Sequence, residues 1–280
     1  MKTVHLYIAL ACISLLGACT DVIEVDVPEA PIRLVVEASL DWEQGTTGNE
    51  QSIQLRTSTP YFQNQDNPPV SGASVEVVNL DTGETFIFTE GTPGNYSIDT
   101  FVPILGNRYQ LDILYNGERY RATETLFPVS PFTEISQSTE EGEDDVLEVN
   151  VSFQDPETMA NWYYLRFQAR GDLLPELYYI EDEFIDGNEF SIFYEKIEDE
   201  DQNIQEFQPG DVVDIQFYGI SEDYYNYLQL LIDQFDSAGE PFSATPVPLV
   251  GNCINLDNPD NIAYGYFRVT EKTSAAYTFN

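Results

Sequence analysis

The chain has 280 residues, of which 49 are aspartate or glutamate and only 11 are lysine or arginine, so its formal net charge is −38. It contains one histidine and three cysteines. A strongly negative chain repels phosphate groups, so these numbers exclude nucleic acid as a partner.

The first 18 residues have the pattern of a secretory signal peptide. Lys2 precedes the apolar run Val4–Leu16, which is too short for a permanent membrane helix. The following Leu16-Gly17-Ala18-Cys19 resembles a bacterial lipobox, in which the chain is cleaved after Ala18 and Cys19 receives lipid. The alternative is an ordinary signal peptide that contains cysteines.

Removal of residues 1–18 changes which chemistry is available to the protein. His5 and Cys12 leave with the signal, whereas no acidic residue does. The mature chain then has no histidine, which excludes Ser-His-Asp and Cys-His catalysis and histidine-ligated metals. With Cys19 acylated, Cys253 is the one free thiol, and no intramolecular disulfide can form.

An acidic tether, residues 19–31, follows the signal. Fully extended, residues 20–30 reach at most about 40 Å, so the acyl chains of Cys19 would hold the folded part close to the membrane. Acidic residues after a lipidated cysteine resemble a surface-export signal of some bacterial lineages. A solvated linker explains them equally well.

Residues 32–128 have the alternation of a β-sandwich domain. Leu34, Val36 and Ala38 point to one side of a strand. Further strands are predicted at 52–56, 73–80, 84–89, 108–115 and 118–126. Asn116-Gly117 separates the last two and predicts a hairpin, because both residues tolerate positive φ. The glycine-aromatic pattern resembles prealbumin-like and Ig-like sandwiches, which are mostly non-catalytic.

Residues 129–280 are predicted to form a second β-rich domain. Its strands lie near 147–154, 163–169, 176–180, 190–196, 213–217 and 263–270, with a further strand at 275–279. Ser221 is a good N-cap for the single predicted helix, 221–237. Its apolar stripe is predicted to contain Tyr224, Leu228, Leu231 and Phe235. The fold class expected for the whole chain is therefore mainly β.

Several short patterns in the second half together resemble one family of bacterial lipoproteins. They are Phe153-Gln154-Asp155-Pro156, Asn161-Trp162-Tyr163-Tyr164-Leu165-Arg166-Phe167, Gly251-Asn252 and Gly265-Tyr266-Phe267. In this order they are similar to domain of unknown function 4249. The resemblance implies an outer-membrane lipoprotein that is often encoded beside TonB-dependent transporters, and it implies no catalytic residues.

Candidate recognition residues are the aromatic and basic side chains that stand out in an acidic chain. Alternation directs Trp162, Tyr164, Tyr178 and Tyr225 away from the core, where aromatic rings suit sugars or a protein partner. Coverage of the core is the alternative for each ring. Two arginines on one strand face, Arg166 and Arg170, suit an anionic ligand, although we favour pairing with Glu148 across the sheet.

Acidic loops invite a metal interpretation. Asp182–Gly187 lacks the ligands that an EF-hand needs at its third and twelfth positions. Asp257 and Asp260 are weak calcium candidates. We favour solvated loop acids at both places, and therefore expect no metal and no cofactor.

We expect a non-enzymatic lipoprotein anchored in the outer membrane, with the extracellular face favoured over the periplasmic face. It would act as an accessory or ligand-capturing subunit of a TonB-dependent transporter. One alternative is a free-standing glycan-binding or peptide-binding lipoprotein. A carboxylate-pair glycoside hydrolase ranks below both, because chance pairs are inevitable among 49 acids.

Overall fold

A computed structural model describes residues 31–60, 66–143, 145–157, 160–198, 204–237 and 247–280. The strands are β1 (Leu34–Glu43), β2 (Gln51–Thr57), β3 (Ser74–Asn79), β4 (Thr85–Thr92), β5 (Asn95–Ile98), β6 (Arg108–Tyr115), β7 (Glu118–Thr125), β8 (Phe132–Ser138), β9 (Glu148–Gln154), β10 (Trp162–Ala169), β11 (Glu176–Glu181), β12 (Glu189–Glu195), β13 (Val212–Ile220), β14 (Ile254–Asn255) and β15 (Tyr264–Thr278). Among the described residues, the α-helix is α1 (Glu222–Asp236), and a 3-10 turn covers Asp182–Phe184. The expected mainly β class with one helix is confirmed.

Strands β1–β7 with β14 form a β-sandwich, which we call the first unit. Strand β4 pairs with β3 through residues 85–88 and with β5 through residues 89–92, so the sheet folds over along this strand. Alternate side chains of both layers, such as Val36, Leu55 and Val77, are fully buried between them. At the β6–β7 turn, Asn116 and Gly117 both have positive φ, as the hairpin prediction requires.

The last long strand, β15, pairs with a strand from each half of the chain. Its residues 264–272 pair in parallel with β1, and residues 272–278 pair antiparallel with β13. The two predicted strands at 263–270 and 275–279 are thus one element. Phe267 and Cys253 lie in the core of the first unit, although both fall within residues 129–280, which were expected to form the second domain. One continuous strand therefore joins the two halves of the chain.

Strands β8–β13 with α1 form the second unit. The strand order β11-β10-β13-β15 continues directly into the sheet of the first unit, giving twelve strands in one sheet. A separate sheet of order β12-β9-β8 covers one face of this extension. Phe153, Phe167 and Phe217 are fully buried between the two sheets. The opposite face of the extension, which we call the outer face, carries α1.

Helix α1 begins as the sequence predicts. The Ser221 hydroxyl accepts a hydrogen bond from the backbone amide of Tyr224 and caps the helix. The predicted apolar stripe is wrong beyond its first half, because Leu231 and Phe235 are exposed. Leu228 and Ile232 instead face the sheet, since a helix on this flat surface buries positions four apart.

The proline-rich segment between the units lies against the sheet. Phe127 forms a parallel bridge with Thr270, and the Val129 amide donates to the Glu271 carboxylate at 3.0 Å. A Cβ atom at Gly219 would lie 1.9 Å from the carbonyl oxygen of Pro128, so only glycine allows this approach. Among the described residues, no helix is long and apolar enough to span a membrane.

Candidate functional site

An open groove of about 500 Å³ lies on the outer face of the second unit. Its floor consists of two rows of directly paired residues across three strands. One row is Arg166–Gln216–Ser274, and the other is Gln168–Asp214–Ala276. Ser274 and Ala276 have small side chains, so the groove is deepest over β15. The longer polar side chains of β10 and β13 form its side wall.

Arg166 is half-buried in this groove and is held by two amides. Its Nη1 donates to the Gln216 side-chain oxygen at 3.2 Å, and its Nη2 donates to the Gln168 oxygen at 2.8 Å. No carboxylate in the described ranges lies within salt-bridge distance of Arg166. The groove thus contains a guanidinium whose charge is not neutralised by an ion pair.

The predicted pairing of both arginines with Glu148 is wrong. Glu148 lies in the other sheet, where it is buried and accepts hydrogen bonds from the amides of residues 140–142. Arg170 instead forms two hydrogen bonds with Asp214, at 3.0 and 2.8 Å. This partner lowers the pKa of the Asp214 carboxyl. Alternation gave the correct strand face, but sequence did not reveal which strand lies beside it.

The four aromatic candidates are not an exposed recognition surface. Tyr164 is 8% exposed because α1 covers it. It is paired with Tyr218 on the neighbouring strand, and the two rings stack with their centroids 5.0 Å apart. Tyr178 packs edge-on against Phe167 in the core between the sheets. The expectation that Tyr164 and Tyr178 point to solvent is therefore wrong.

Tyr225 and Trp162 keep part of their surfaces accessible. The Tyr225 ring packs edge-on against Tyr179 at 5.5 Å, beneath the helix. Trp162 lines a second cleft of about 460 Å³ at the junction of the two units, together with Phe127 and Glu124. These two rings are half-buried on the outer face, whereas Tyr178, also half-buried, packs against the core between the sheets.

Glu124 is a buried carboxyl that sequence analysis missed. It is 6% exposed and accepts hydrogen bonds from the Thr125 amide and the Ser221 hydroxyl, each at 2.9 Å. Burial raises the pKa of Glu124 to about 7; the charge of Asp223 acts in the same direction, and these hydrogen bonds oppose the rise. The alternation of β7 places residue 124 on the buried face beside Ala122, which was the available signal.

Arg268 is a second missed residue, and its role is structural. It is 7% exposed under α1, where it pairs with Asp41 at 2.8 Å and donates to the Tyr224 hydroxyl at 3.0 Å. Its guanidinium carbon lies 4.9 Å from the Tyr218 ring centroid. Burial lowers the pKa of Arg268, but the interactions with Tyr224 and Asp41 outweigh burial and raise it overall.

Three carboxylates are the described groups best arranged to hold a cation. Oxygens of Asp155, Asp182 and Asp186 lie within 4.8 Å of one another, and the first two residues are buried. Burial, reinforced by the two neighbouring carboxylates, raises the pKa of Asp155. Oxygen ligands of this kind suit calcium. The sequence pattern points to Asp182–Gly187 alone; Asp155 belongs to a different loop, and no local signal connects it with that segment.

Of the two weak calcium candidates near the end of the chain, Asp257 has a basic partner for its carboxylate. Arg119 binds Asp257 through two guanidinium nitrogens, at 3.0 and 2.7 Å, and lowers the pKa of Asp257 to about 2. The backbone carbonyl of Asp260 accepts a hydrogen bond from Arg33. Ala18, Cys19 and most of the tether lie outside the described residues.

Comparison with known proteins gives one family and several partial structural similarities. No curated protein matches the chain. A two-domain fibronectin type-III segment of chicken tenascin is 12% identical, covering 62% of this chain and 86% of its own, with a TM-score of 0.21. The FN1–FN3 domains of chicken CNTN1 are 14% identical, covering 69% and 63%, with a TM-score of 0.26. A cytokine receptor complex is 10% identical, covering 70% and 87%, with a TM-score of 0.27.

The family comparison covers far more of the sequence. The model of one family matches residues 20–276, which include both units and the groove. The resemblance noted from the order of short patterns is thereby confirmed, and the chain belongs to the family described as Domain of unknown function (DUF4249).

Proposed function

We propose that the protein is an outer-membrane-anchored lipoprotein without enzymatic activity, and that it captures a ligand as an accessory subunit of a TonB-dependent transporter. The observation that carries the proposal is the family match, which begins at residue 20, directly after Leu16-Gly17-Ala18-Cys19. Lipid on Cys19 would attach the chain to the membrane at the point where the family-specific sequence starts.

The arrangement of the strands supports a capturing role. The described chain enters the first unit at the start of β1, and β15 starts beside β1 and runs in the same direction. From residue 264 to the groove residue Ser274, β15 rises by about 33 Å. The groove is therefore held far from the point where a tether would join the first unit.

Continuous strand pairing makes this presentation rigid. Any hinge between the units would break hydrogen bonds of β15 with β1 or with β13. A ligand bound in the groove would consequently keep a fixed position relative to the first unit, as handover to a transporter requires.

The lipid anchor is tested by metabolic labelling with a radioactive fatty acid. We expect the wild-type chain to incorporate label and Cys19→Ser to lose it. Cys12→Ser is the matched control, because it alters a cysteine seven residues upstream within the same signal sequence. Label retained by Cys19→Ser would contradict the anchor.

The accessory role is tested by copurification from native membranes after mild detergent extraction. We expect a TonB-dependent transporter to copurify with the wild type, and protease added to intact cells to cleave the protein. A protein that is protected in intact cells and never copurifies with a transporter would refute this part of the proposal.

A further inference from the structure

The groove floor offers unused hydrogen-bond donors around Arg166. A guanidinium has five N–H donors. Within the described chain, Arg166 donates two hydrogen bonds, and both go to neutral amide oxygens. The Gln216 oxygen also accepts from the Tyr218 hydroxyl at 3.1 Å, which fixes the orientation of that amide. The Gln216 NH₂ group then remains to donate beside the guanidinium.

The local charge of the groove is opposite to that of the whole molecule. Among the described residues that line the groove, Asp214 is the carboxylate, and Arg170 from the neighbouring strand binds it. Glu43 accepts a hydrogen bond from the floor residue Ser274 at 2.7 Å and pairs with Lys272 at 3.5 Å. The three cations Arg166, Arg170 and Lys272 against these two carboxylates leave one positive charge there, on a chain with a formal charge of −38. Screening at physiological salt limits repulsion by distant acids to about 8 Å, so the nearby guanidinium dominates in the groove.

The rest of the floor matches a polar ligand with hydroxyl groups. The Gln216 NH₂ group can donate to a ligand hydroxyl. The Gln168 NH₂ group donates to the carbonyl oxygens of Ala169 and Asp172, so Gln168 offers a ligand only its oxygen, which already accepts from Arg166. Ser274 and Ala276 leave space above β15, in a volume of about 500 Å³ that accommodates a sugar-sized molecule. A planar carboxylate is the group that binds a guanidinium through two parallel hydrogen bonds.

We propose that this groove binds a carboxylated sugar, with the carboxylate on Arg166, one sugar hydroxyl on the Gln216 NH₂ group and another on the Gln168 oxygen. The inference rests on the proposed ligand-capturing function and names the class of ligand. A larger concavity of about 730 Å³ on the first unit is lined by hydroxyl groups and by Asp41, Glu50 and Asp99. None of its described lining residues is a cation, so it lacks this complementarity.

Isothermal titration calorimetry of the purified full chain in mild detergent, at physiological ionic strength, tests the proposal. D-glucuronate is the probe, and D-glucose, acetate and inorganic phosphate are the comparison ligands. We expect glucuronate to bind at least about tenfold more tightly than each of the others, because only it combines a planar carboxylate with ring hydroxyls. Absent glucuronate binding, or equal binding of glucose or phosphate, would overturn the proposal.

Variants assign the binding to the groove. Arg166→Gln is expected to weaken glucuronate binding at least about tenfold. Ala276→Tyr is expected to block the groove from an exposed strand position that tolerates a large side chain. Arg108→Gln removes an exposed arginine in the first unit and should bind like the wild type. Unchanged binding by a folded Arg166→Gln or Ala276→Tyr variant would refute the assignment.

The same variants separate this inference from the proposed function. Arg166→Gln should still incorporate fatty acid at Cys19 and should still copurify with the transporter. If the wild type copurifies but binds no glucuronate, the ligand assignment alone fails. If glucuronate binds through Arg166 but labelling and copurification fail, the accessory lipoprotein role alone fails.

Discussion

Replacement of Glu124 by glutamine is expected to stabilise the protein at and above neutral pH. The Glu124 carboxyl is 6% exposed, and its pKa is raised to about 7 from the usual 4.5, mainly by burial. A raised pKa means that the folded state holds the proton more tightly than the unfolded state does. The stability that protonated Glu124 provides is complete below pH 4.5 and is lost as the pH rises through 7.

The size of the effect follows from the two pKa values. A tenfold change in a protonation equilibrium corresponds to about 1.4 kcal/mol. Ionisation of Glu124 therefore costs about 3 kcal/mol of folding free energy at pH 8. Glutamine never ionises, so it avoids this cost. Its one carbonyl oxygen keeps the hydrogen bond from the Thr125 amide, and its NH₂ group replaces the other oxygen and donates to the Ser221 hydroxyl, which reverses that hydrogen bond.

Urea unfolding of the wild type and Glu124→Gln at pH 4.5, 6, 7 and 8 measures the difference. We expect the advantage of Glu124→Gln to be below about 1 kcal/mol at pH 4.5 and to approach about 3 kcal/mol at pH 8. Glu222→Gln is the control, because it removes an exposed carboxylate from the same cleft and should show no comparable gain. A stability difference for Glu124→Gln that does not change with pH would refute the reasoning.

Three further experiments test the packing. Asp41→Asn removes the carboxylate partner of the buried Arg268 and should destabilise the protein by about 3 kcal/mol in urea unfolding, whereas a loss below about 1 kcal/mol would show that the pair is solvated. Leu228→Ala should cost about 2–5 kcal/mol and Leu231→Ala less than about 1 kcal/mol, because only Leu228 is buried under the helix; equal losses would contradict the observed helix face. Cys253 should react with iodoacetamide only after denaturation, because burial in the first core raises the pKa of its thiol to about 12, and rapid alkylation of the native protein would contradict that position.

Local sequence patterns predicted most of the elements but not how far each extends. The Asn116-Gly117 turn and the Ser221 cap were both correct, because each depends on the conformation or hydrogen bonding of neighbouring residues. Strand β8 was missed, since none of its seven residues is fully buried and its alternation is weak. The division of 263–279 into two strands was wrong because one strand changes partners at Lys272.

The candidate site was predicted only in part, for a physical reason. Alternation assigns a side chain to one face of a strand, and it placed Trp162, Tyr164 and Arg166 correctly on the same face. It does not determine what covers that face. Helix α1 covers Tyr164 and leaves Arg166 open, and these two residues are adjacent on one side of one strand.

The sequence by itself determined which reactive groups the protein contains and most of its local structure. It established the acidic charge, the lipobox-like segment ending at Cys19, the lack of histidine after residue 18, and most strands and turns, because these depend on residue identity or on near neighbours. Tertiary structure alone decided that Arg170 binds Asp214, that Arg166 keeps a positive charge in a groove, and that Asp155 meets Asp182. These contacts join residues far apart in the chain, and their partners are set by strand order and by the path of the helix.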